Sequence, residues 1–327
     1  MTKQEIMEVF QLPRAEYEAA IRPRAFEVLK REKRGVSPVA MLGYSNVCKN
    51  QCLYCGMRAG NAKLPRYRFQ EEQIAGSIHS AFAMGLRRLF LISGEDPKYP
   101  FETLLRIIEQ AKQMGFVRVS LGAGEFSKTQ YEELKAAGLD EYVMKFEMSH
   151  KDTFERMNPS TTFEKRNQGI RWIQEAGLDL GSGNIVDYPG QTLEELADDI
   201  LLMQELSISW APNIPYMPAI GTPLATQEDG TPSPRGSIDK MQREISLVRL
   251  LLPQCDITAQ QPGEDIRNGL SDQQGNAEAV RAGGNVLFVD LLPAAQAGNF
   301  HVIDHRVIAG LDHVKEIAQM TGLELIC

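Results

Sequence analysis

Four times along this chain a helical pattern runs into a glycine, at Met84-Gly85, Met114-Gly115, Ala137-Gly138 and Ala176-Gly177. Glycine just past a helix accepts the left-handed conformation that ends it. Each time a β-rich run follows within about four residues, the loop length of a repeating βα unit. The rhythm extends over most of the sequence. Runs suited to strands are Ala40–Asn46, Arg88–Ser93, Val117–Leu121, Glu141–Glu147, Asp179–Val186, Ser209–Tyr216, Asp256–Gln260 and Asn285–Leu292. Between them, helical spacing predicts helices over Glu71–Met84, Phe101–Met114, Lys128–Ala137, Thr162–Ala176, Leu193–Leu206, Ile238–Leu252 and Asn276–Ala282, with a closing helix over Val307–Met320. A parallel sheet must be covered by helices on its outer face, so eight alternating pairs predict an α/β protein built as a (βα)8 TIM-type barrel. Residues 1–38 are polar and helix-prone, with Pro13, Pro23 and Pro38 as punctuation, and read as a short N-terminal helical cap. That leaves 39–327 for the barrel. The longest expected loop is Thr222–Ser237, a surface excursion or a lid.

Composition narrows the function. With 327 residues, 43% of them hydrophobic, the chain is long enough for one large barrel. A net charge of −8 with no Lys/Arg-rich run disfavours a nucleic-acid partner. The N-terminal stretch has no long apolar segment of a secretory signal. The apolar runs, such as Leu89–Ile92, fall far short of the ~20 residues that span a bilayer. A cytoplasmic protein without a membrane partner is expected.

Three of the five cysteines crowd into eight residues, as Cys48, Cys52 and Cys55, while Cys255 and Cys327 stand alone. An odd number so distributed is not a disulfide framework. The stretch Ser45 to Gly56 begins where the first expected strand ends, on the face where barrel active sites lie. Spaced C-x3-C-x2-C, three thiolates can hold three irons of one cubane and leave the fourth open to a small chelating molecule. The competing reading is tetrahedral zinc, which usually draws four ligands from paired knuckles. No further Cys or His lies nearby to complete it.

C-x3-C-x2-C with an aromatic before the last cysteine (Tyr54) resembles the radical S-adenosylmethionine (radical SAM) superfamily. The segments 50–58, Arg66-Tyr67-Arg68, Ser93-Gly94-Glu95-Asp96-Pro97, Phe163-Glu164-Lys165-Arg166, Pro189-Gly190-Gln191-Thr192 and Gly221-Thr222-Pro223-Leu224 are similar to those of one clade. It contains biotin synthase, the FeFe-hydrogenase maturase HydE and the methylornithine synthase PylB. The resemblance runs from about residue 40 to 292. It implies a 4Fe–4S cluster on the three cysteines, SAM chelating the fourth iron, and one-electron cleavage to a 5′-deoxyadenosyl radical. It also implies a small-molecule substrate and an electron donor such as flavodoxin or ferredoxin.

The same resemblance assigns Gly94 and Glu95 to the SAM ammonium, and Glu147 and Arg166 to SAM binding. A buried ammonium needs an acceptor, and an Arg fork suits a carboxylate. The other expected positions come from polarity on strands buried on both faces, where polar groups are costly unless they meet a ligand or a partner. Those are Ser120 for the cofactor, and Ser182, Asn184, Asn213, Tyr216, Thr258, Gln260 and Asp290 for the substrate. The chain departs from its relatives in two places. It has no Arg in Ala211-Pro212-Asn213-Ile214, where PylB anchors an amino acid, and Thr258 and Gln260 fall near that enzyme's Ser/Asp pair. It also lacks the further cysteines that biotin and lipoyl synthases use for a second cluster. A HydE-like step in metallocofactor biosynthesis is therefore expected. The alternatives are a PylB-like carbon-skeleton rearrangement, a sulfur insertion, and a non-catalytic Fe–S carrier or scaffold.

Overall fold

A computed structural model of the chain describes residues 1–304, 306–307 and 309–326; Cys327 lies outside the described residues. Eight parallel strands carry the architecture: β1 (Gly35–Ser45), β2 (Arg88–Ser93), β3 (Arg118–Gly122), β4 (Glu141–Val143), β5 (Asp179–Gly181), β6 (Trp210–Ala211), β7 (Asp256–Ile257) and β8 (Val286–Asp290). Each pairs with its sequence neighbour, and β8 pairs with β1 through five residues from Ser37–Val286 to Met41–Asp290. A bridge between Thr258 and Val286 joins the remaining pair, with Ala259 N donating to Val286 O at 2.8 Å, so the ring of eight closes. The expected (βα)8 barrel is the fold found.

The stop signals behave as their chemistry demands. Gly85, Gly115, Gly138 and Gly177 all have positive φ, between +74° and +100°. The expected helices are present to within a few residues, as at Phe101–Met114 and Leu193–Glu205. The closing helix starts later, at Leu311. A short helix over Lys151–Met157 was not foreseen.

Several strand boundaries differ, and three of the departures have a clear physical reason. β1 begins at Gly35 rather than Ala40 and takes in Pro38, which had read as a break. The β1–β2 ladder starts only at Ala40–Leu89, so the N–H that Pro38 lacks has no partner to lose there. The expected fifth and sixth strands are each interrupted. β5 ends at Gly181 and resumes as Ile185–Val186, while β6 ends at Ala211 and resumes as Ile214–Pro215; the two resumed pieces pair with each other.

The barrel interior is layered along its axis. At the N-terminal end of the strands lies a ring of buried charges, with Arg88 on Asp256 and Arg118 on Glu141. Above it Val39, Met41, Phe90, Trp210, Val286 and Phe288 form an aromatic plug. Phe90 and Trp210 meet edge-on at 4.9 Å, and Trp210 Nε1 donates to Thr258 Oγ1 at 3.0 Å. A plug in mid-barrel separates the C-terminal mouth from the charged ring below it. The N-terminal helices over Lys3–Gln11 and Arg22–Glu32 pack on the outside, against the helices at Leu193–Glu205 and Ile238–Leu251.

Candidate active site

The cysteine loop leaves β1 at Ser45 and lies across the barrel mouth. Its backbone is tied down from four directions. Lys49 N donates to Glu95 O (2.9 Å), Leu53 N to Met157 O (2.9 Å) and Gly56 N to Val302 O (3.1 Å), while Leu224 N reaches Leu53 O (3.0 Å). The last contact comes from the long 222–237 loop, which thus reaches over the cysteine loop. Arg66 ties the turn together, donating to Asn46 O and Met57 O at 2.7 and 2.8 Å. Gly94 is required by this packing: a Cβ there would sit 2.4 Å from Val47 O and 2.7 Å from Cys48 Cβ.

Cys48, Cys52 and Cys55 are free and partly buried. Burial, then the charge of Cys48, pushes Cys52 up to about 12. Burial and Cys52 likewise push the Cys55 thiol upward. Thiols that raise one another in this way need a cationic centre to become thiolates together. The donor set and its mutual repulsion fit an iron–sulfur cluster.

Around the loop stand the residues expected to meet SAM. Glu95 is buried; its Oε2 accepts from Asn50 Nδ2 at 2.9 Å, and its Oε1 lies 2.6 Å from Lys49 Nζ without a directed hydrogen bond. Glu147 adopts a left-handed backbone, φ +63°, uncommon for a non-glycine residue and a mark of functional sites. Its N–H donates to Gly183 O at 3.0 Å and its carbonyl accepts from Ile185 N at 3.2 Å. Its Oε2, 3.1 Å from Lys145 Nζ, has no directed partner either. Arg166 is half-buried, donating from Nε to Glu125 Oε1 at 3.0 Å and from Nη1 to Lys145 O at 2.5 Å. Tyr54 donates to Asn158 Oδ1 at 2.7 Å. Burial, then Glu147 and Cys52, hold its hydroxyl well above the ordinary value.

Glu125 was missed. It follows Gly124 just past β3 and gathers Arg166, Lys165 (Nζ at 2.9 Å) and Thr161. Burial raises a carboxylate, yet Arg166, Lys165 and Thr161 outweigh it and hold Glu125 below its usual value. A signal existed: an acid directly after a barrel strand, behind two glycines.

Between the loop and the aromatic plug is a cavity of about 300 Å³. Tyr54, Cys55 and Glu147 line it on the loop side, and Phe90, Phe288 and Met41 on the plug side. Tyr216, Thr258 and Gln260 also line it. The Tyr216 hydroxyl is committed to Leu224 O (2.7 Å), and the Gln260 amide to Leu270 O (2.5 Å) and Phe288 N (3.0 Å).

The other five positions lie elsewhere. Ser120 was expected to end β3 beside the cofactor; the strand runs on to Gly122, and its hydroxyl instead bonds Glu141 Oε2 (2.7 Å) in the charged ring. Ser182 bridges the β4 segment, donating to Met144 O at 2.7 Å and accepting from Phe146 N at 3.2 Å. Asn184 and Asn213 sit in the two strand breaks and turn outward. Their amides donate to Glu244 at 3.1 and 2.7 Å, and Asn184 also reaches Asp199. Burial pushes Glu244 up to about 8 and Asp199 up to about 6. Asp290 does not line the cavity; it accepts from Arg306 Nη1 at 3.0 Å, and Arg306 does line it.

A parallel barrel with three thiols on the loop after its first strand, buried carboxylates beside them and a closed-bottomed cavity below defines a cluster-dependent enzyme class. The chain belongs to the radical SAM superfamily, which its sequence matches over residues 42–203. It is similar to the "[FeFe] hydrogenase maturase subunit HydE" of Thermotoga maritima, 33% identical over 255 residues, or 78% of this chain and 70% of that protein. The biotin synthase of Desulforudis audaxviator is 31% identical over 64% of this chain, which spans 63% of that enzyme. In fold, the crystal structure of methylornithine synthase (PylB) superposes on all of this chain and 94% of its own, with TM-score 0.84 at 18% identity. The protein is a radical SAM enzyme, of a family that uses a 4Fe–4S cluster and S-adenosylmethionine. No helix among the described residues is long and apolar enough to cross a membrane.

Proposed function

We propose that this enzyme carries out a HydE-like step in metallocofactor biosynthesis, with Cys48, Cys52 and Cys55 as the cluster ligands. The observation that carries this reading is the 33% identity with HydE over 78% of the chain. When bound, the cluster and SAM supply one-electron cleavage chemistry that starts a radical reaction.

The chain's own residues hold and shield. Glu95 and Glu147 each present a buried carboxylate oxygen that meets an ammonium here, Lys49 at 2.6 Å and Lys145 at 3.1 Å, and so suits the ammonium of SAM. Arg166, braced by Glu125, places a guanidinium beside Glu147 and Tyr54. The aromatic plug and the 222–237 loop keep water from the cavity.

Radical SAM enzymes take electrons from reductants. An acidic flavodoxin or ferredoxin suits this chain. Residues 46–70 contain Lys49, Arg58, Lys63, Arg66 and Arg68 and no acid, in a chain of net charge −8. Lys49 and Arg68 are ion-paired with Glu95 and Asp96, so Arg58 and Lys63 are the cations of this segment left to draw an acidic donor toward the cysteines.

Complementation tests the reading. In a strain lacking its own HydE, expression of this chain should restore [FeFe]-hydrogenase activity. Failure there, with rescue of a strain lacking methylornithine synthase, would assign the chain to the rearrangement instead.

A further inference from the structure

We propose that Arg306, a residue of the loop after the last barrel strand, is the anchor for a carboxylate on the substrate, and that the substrate is a small monoanion with an apolar body. The inference rests on reading the 300 Å³ cavity as the substrate site.

Among the described residues, three charged ones line that cavity: Lys145, Glu147 and Arg306. Lys145 and Glu147 answer one another at 3.1 Å, on the side of the cysteine loop. Arg306 stands apart from them. Its side chain is 7% exposed, and its Nη1 is held by Asp290, itself fixed by Leu292 N at 3.0 Å. Its guanidinium lies 5.0 Å from the centre of the Phe300 ring, so the plane is held from a second direction. Nη2 is buried and has no hydrogen-bond partner. A buried guanidinium nitrogen left unpaired is costly, and a built-in position for it implies a partner that arrives with a ligand.

The rest of the wall limits what that ligand is. Met41, Phe90, Ile92, Val143, Phe288 and Ile303 surround the space. With one free donor edge and Asp290 already offsetting part of the charge, the site matches a single carboxylate rather than a phosphate dianion. The segment carrying Arg306 is also fixed to the cysteine loop, through Gly56 N to Val302 O. A carboxylate held there leaves the apolar end of the molecule between the aromatic plug and Cys55.

The probe is a matched pair of one carbon skeleton, 4-methylpentanoate and 4-methylpentanamide. They are titrated by ligand-observed NMR into the anaerobically reconstituted enzyme with SAM and no reductant. The acid should bind about tenfold more tightly than the amide, and Arg306→Gln should erase that preference while leaving amide binding within about twofold. Because Arg306→Gln leaves Asp290 buried and unpaired, the double variant Asp290→Asn/Arg306→Gln is measured beside it and should lose the preference equally. Equal binding of acid and amide, no binding of either to the wild type, or a preference that survives both variants would overturn the proposal. Formation of 5′-deoxyadenosine after adding dithionite is scored separately. Acid selectivity without SAM cleavage would sink the reading of the site's function and leave the anion anchor standing. Cleavage without selectivity would do the reverse.

Discussion

The two ends of the barrel treat buried charge in opposite ways. At the N-terminal end Asp256 receives Arg88, Lys33 and Asn285, and Glu141 receives Arg118, Ser120 and Ser209. Burial would raise Asp256, but Arg88 and Lys33 overcome it and hold that carboxyl well below the usual range. Arg118 Nε is the one buried side-chain atom in this ring left without a partner. At the C-terminal mouth, Asn50 Oδ1, Arg58 Nε and Arg306 Nη2 are buried without partners, and Glu95 Oε1 and Glu147 Oε2 meet only the ammonium groups of Lys49 and Lys145. A network satisfied internally holds the strands together; one left open is completed by what binds. One sheet thus separates stability from function along its axis, as parallel barrels do.

The comparison can be broken most sharply at the closed end. Asp256→Ala leaves Arg88 and Lys33 facing each other without their acid and should cost about 3–5 kcal/mol of stability, read by chemical denaturation. Iron bound per folded chain should not change. A variant with normal stability and lost iron would invert the assignment of the two ends. At the open end, Gly94→Ala forces the cysteine loop off β2, so iron per chain should fall by about half or more with little change in the thermal midpoint. Full iron loading would show that the loop does not depend on that close approach. A smaller effect is expected from Glu147→Gln. It should weaken SAM binding to the reconstituted enzyme about tenfold, measured by equilibrium dialysis, without altering iron content. Unchanged affinity would remove Glu147 from the SAM site.

The smallest effect lies between the two ends, at Glu244. Its folded pKa of about 8 stands above the ordinary carboxylate value of 4.5. Between those pH values the folded state keeps a proton that the unfolded state has lost, so stability falls as pH rises through this window. Glu244→Gln should flatten that slope, and the loss of midpoint between pH 5 and pH 8 should shrink by about 3 °C. An unaltered slope would mean that Glu244 does not titrate there.

The barrel was legible because its signals repeat: glycine stops, helical spacing and β-rich runs recur in register. The cysteines were legible because their spacing is itself the chemistry. What stayed hidden depends on contacts between distant segments. Asn184 and Asn213 carry the same polarity whether they face in or out, and two-residue strands give no alternation from which to read direction. Their partner Glu244 did leave a trace, since it shares the buried face of its helix with Met241, Ile245 and Val248. Ser120 read as a strand end because β3 continues through Gly122, a weak strand former. Arg306 lies in a stretch with no periodicity, and only the fold brings it back over Asp290.

The central claim is that the three-thiol loop holds a SAM-cleaving cluster on a barrel that stands without it. Anaerobic reconstitution of the wild type and of Cys52→Ala, followed by dithionite and SAM, tests this directly through iron and 5′-deoxyadenosine. About four irons per chain and deoxyadenosine are expected for the wild type, as a 4Fe–4S site requires. Cys52→Ala should give neither, with the folded barrel intact by circular dichroism. Deoxyadenosine formed by Cys52→Ala at the wild-type rate, or one zinc and no iron in the wild type, would contradict the account.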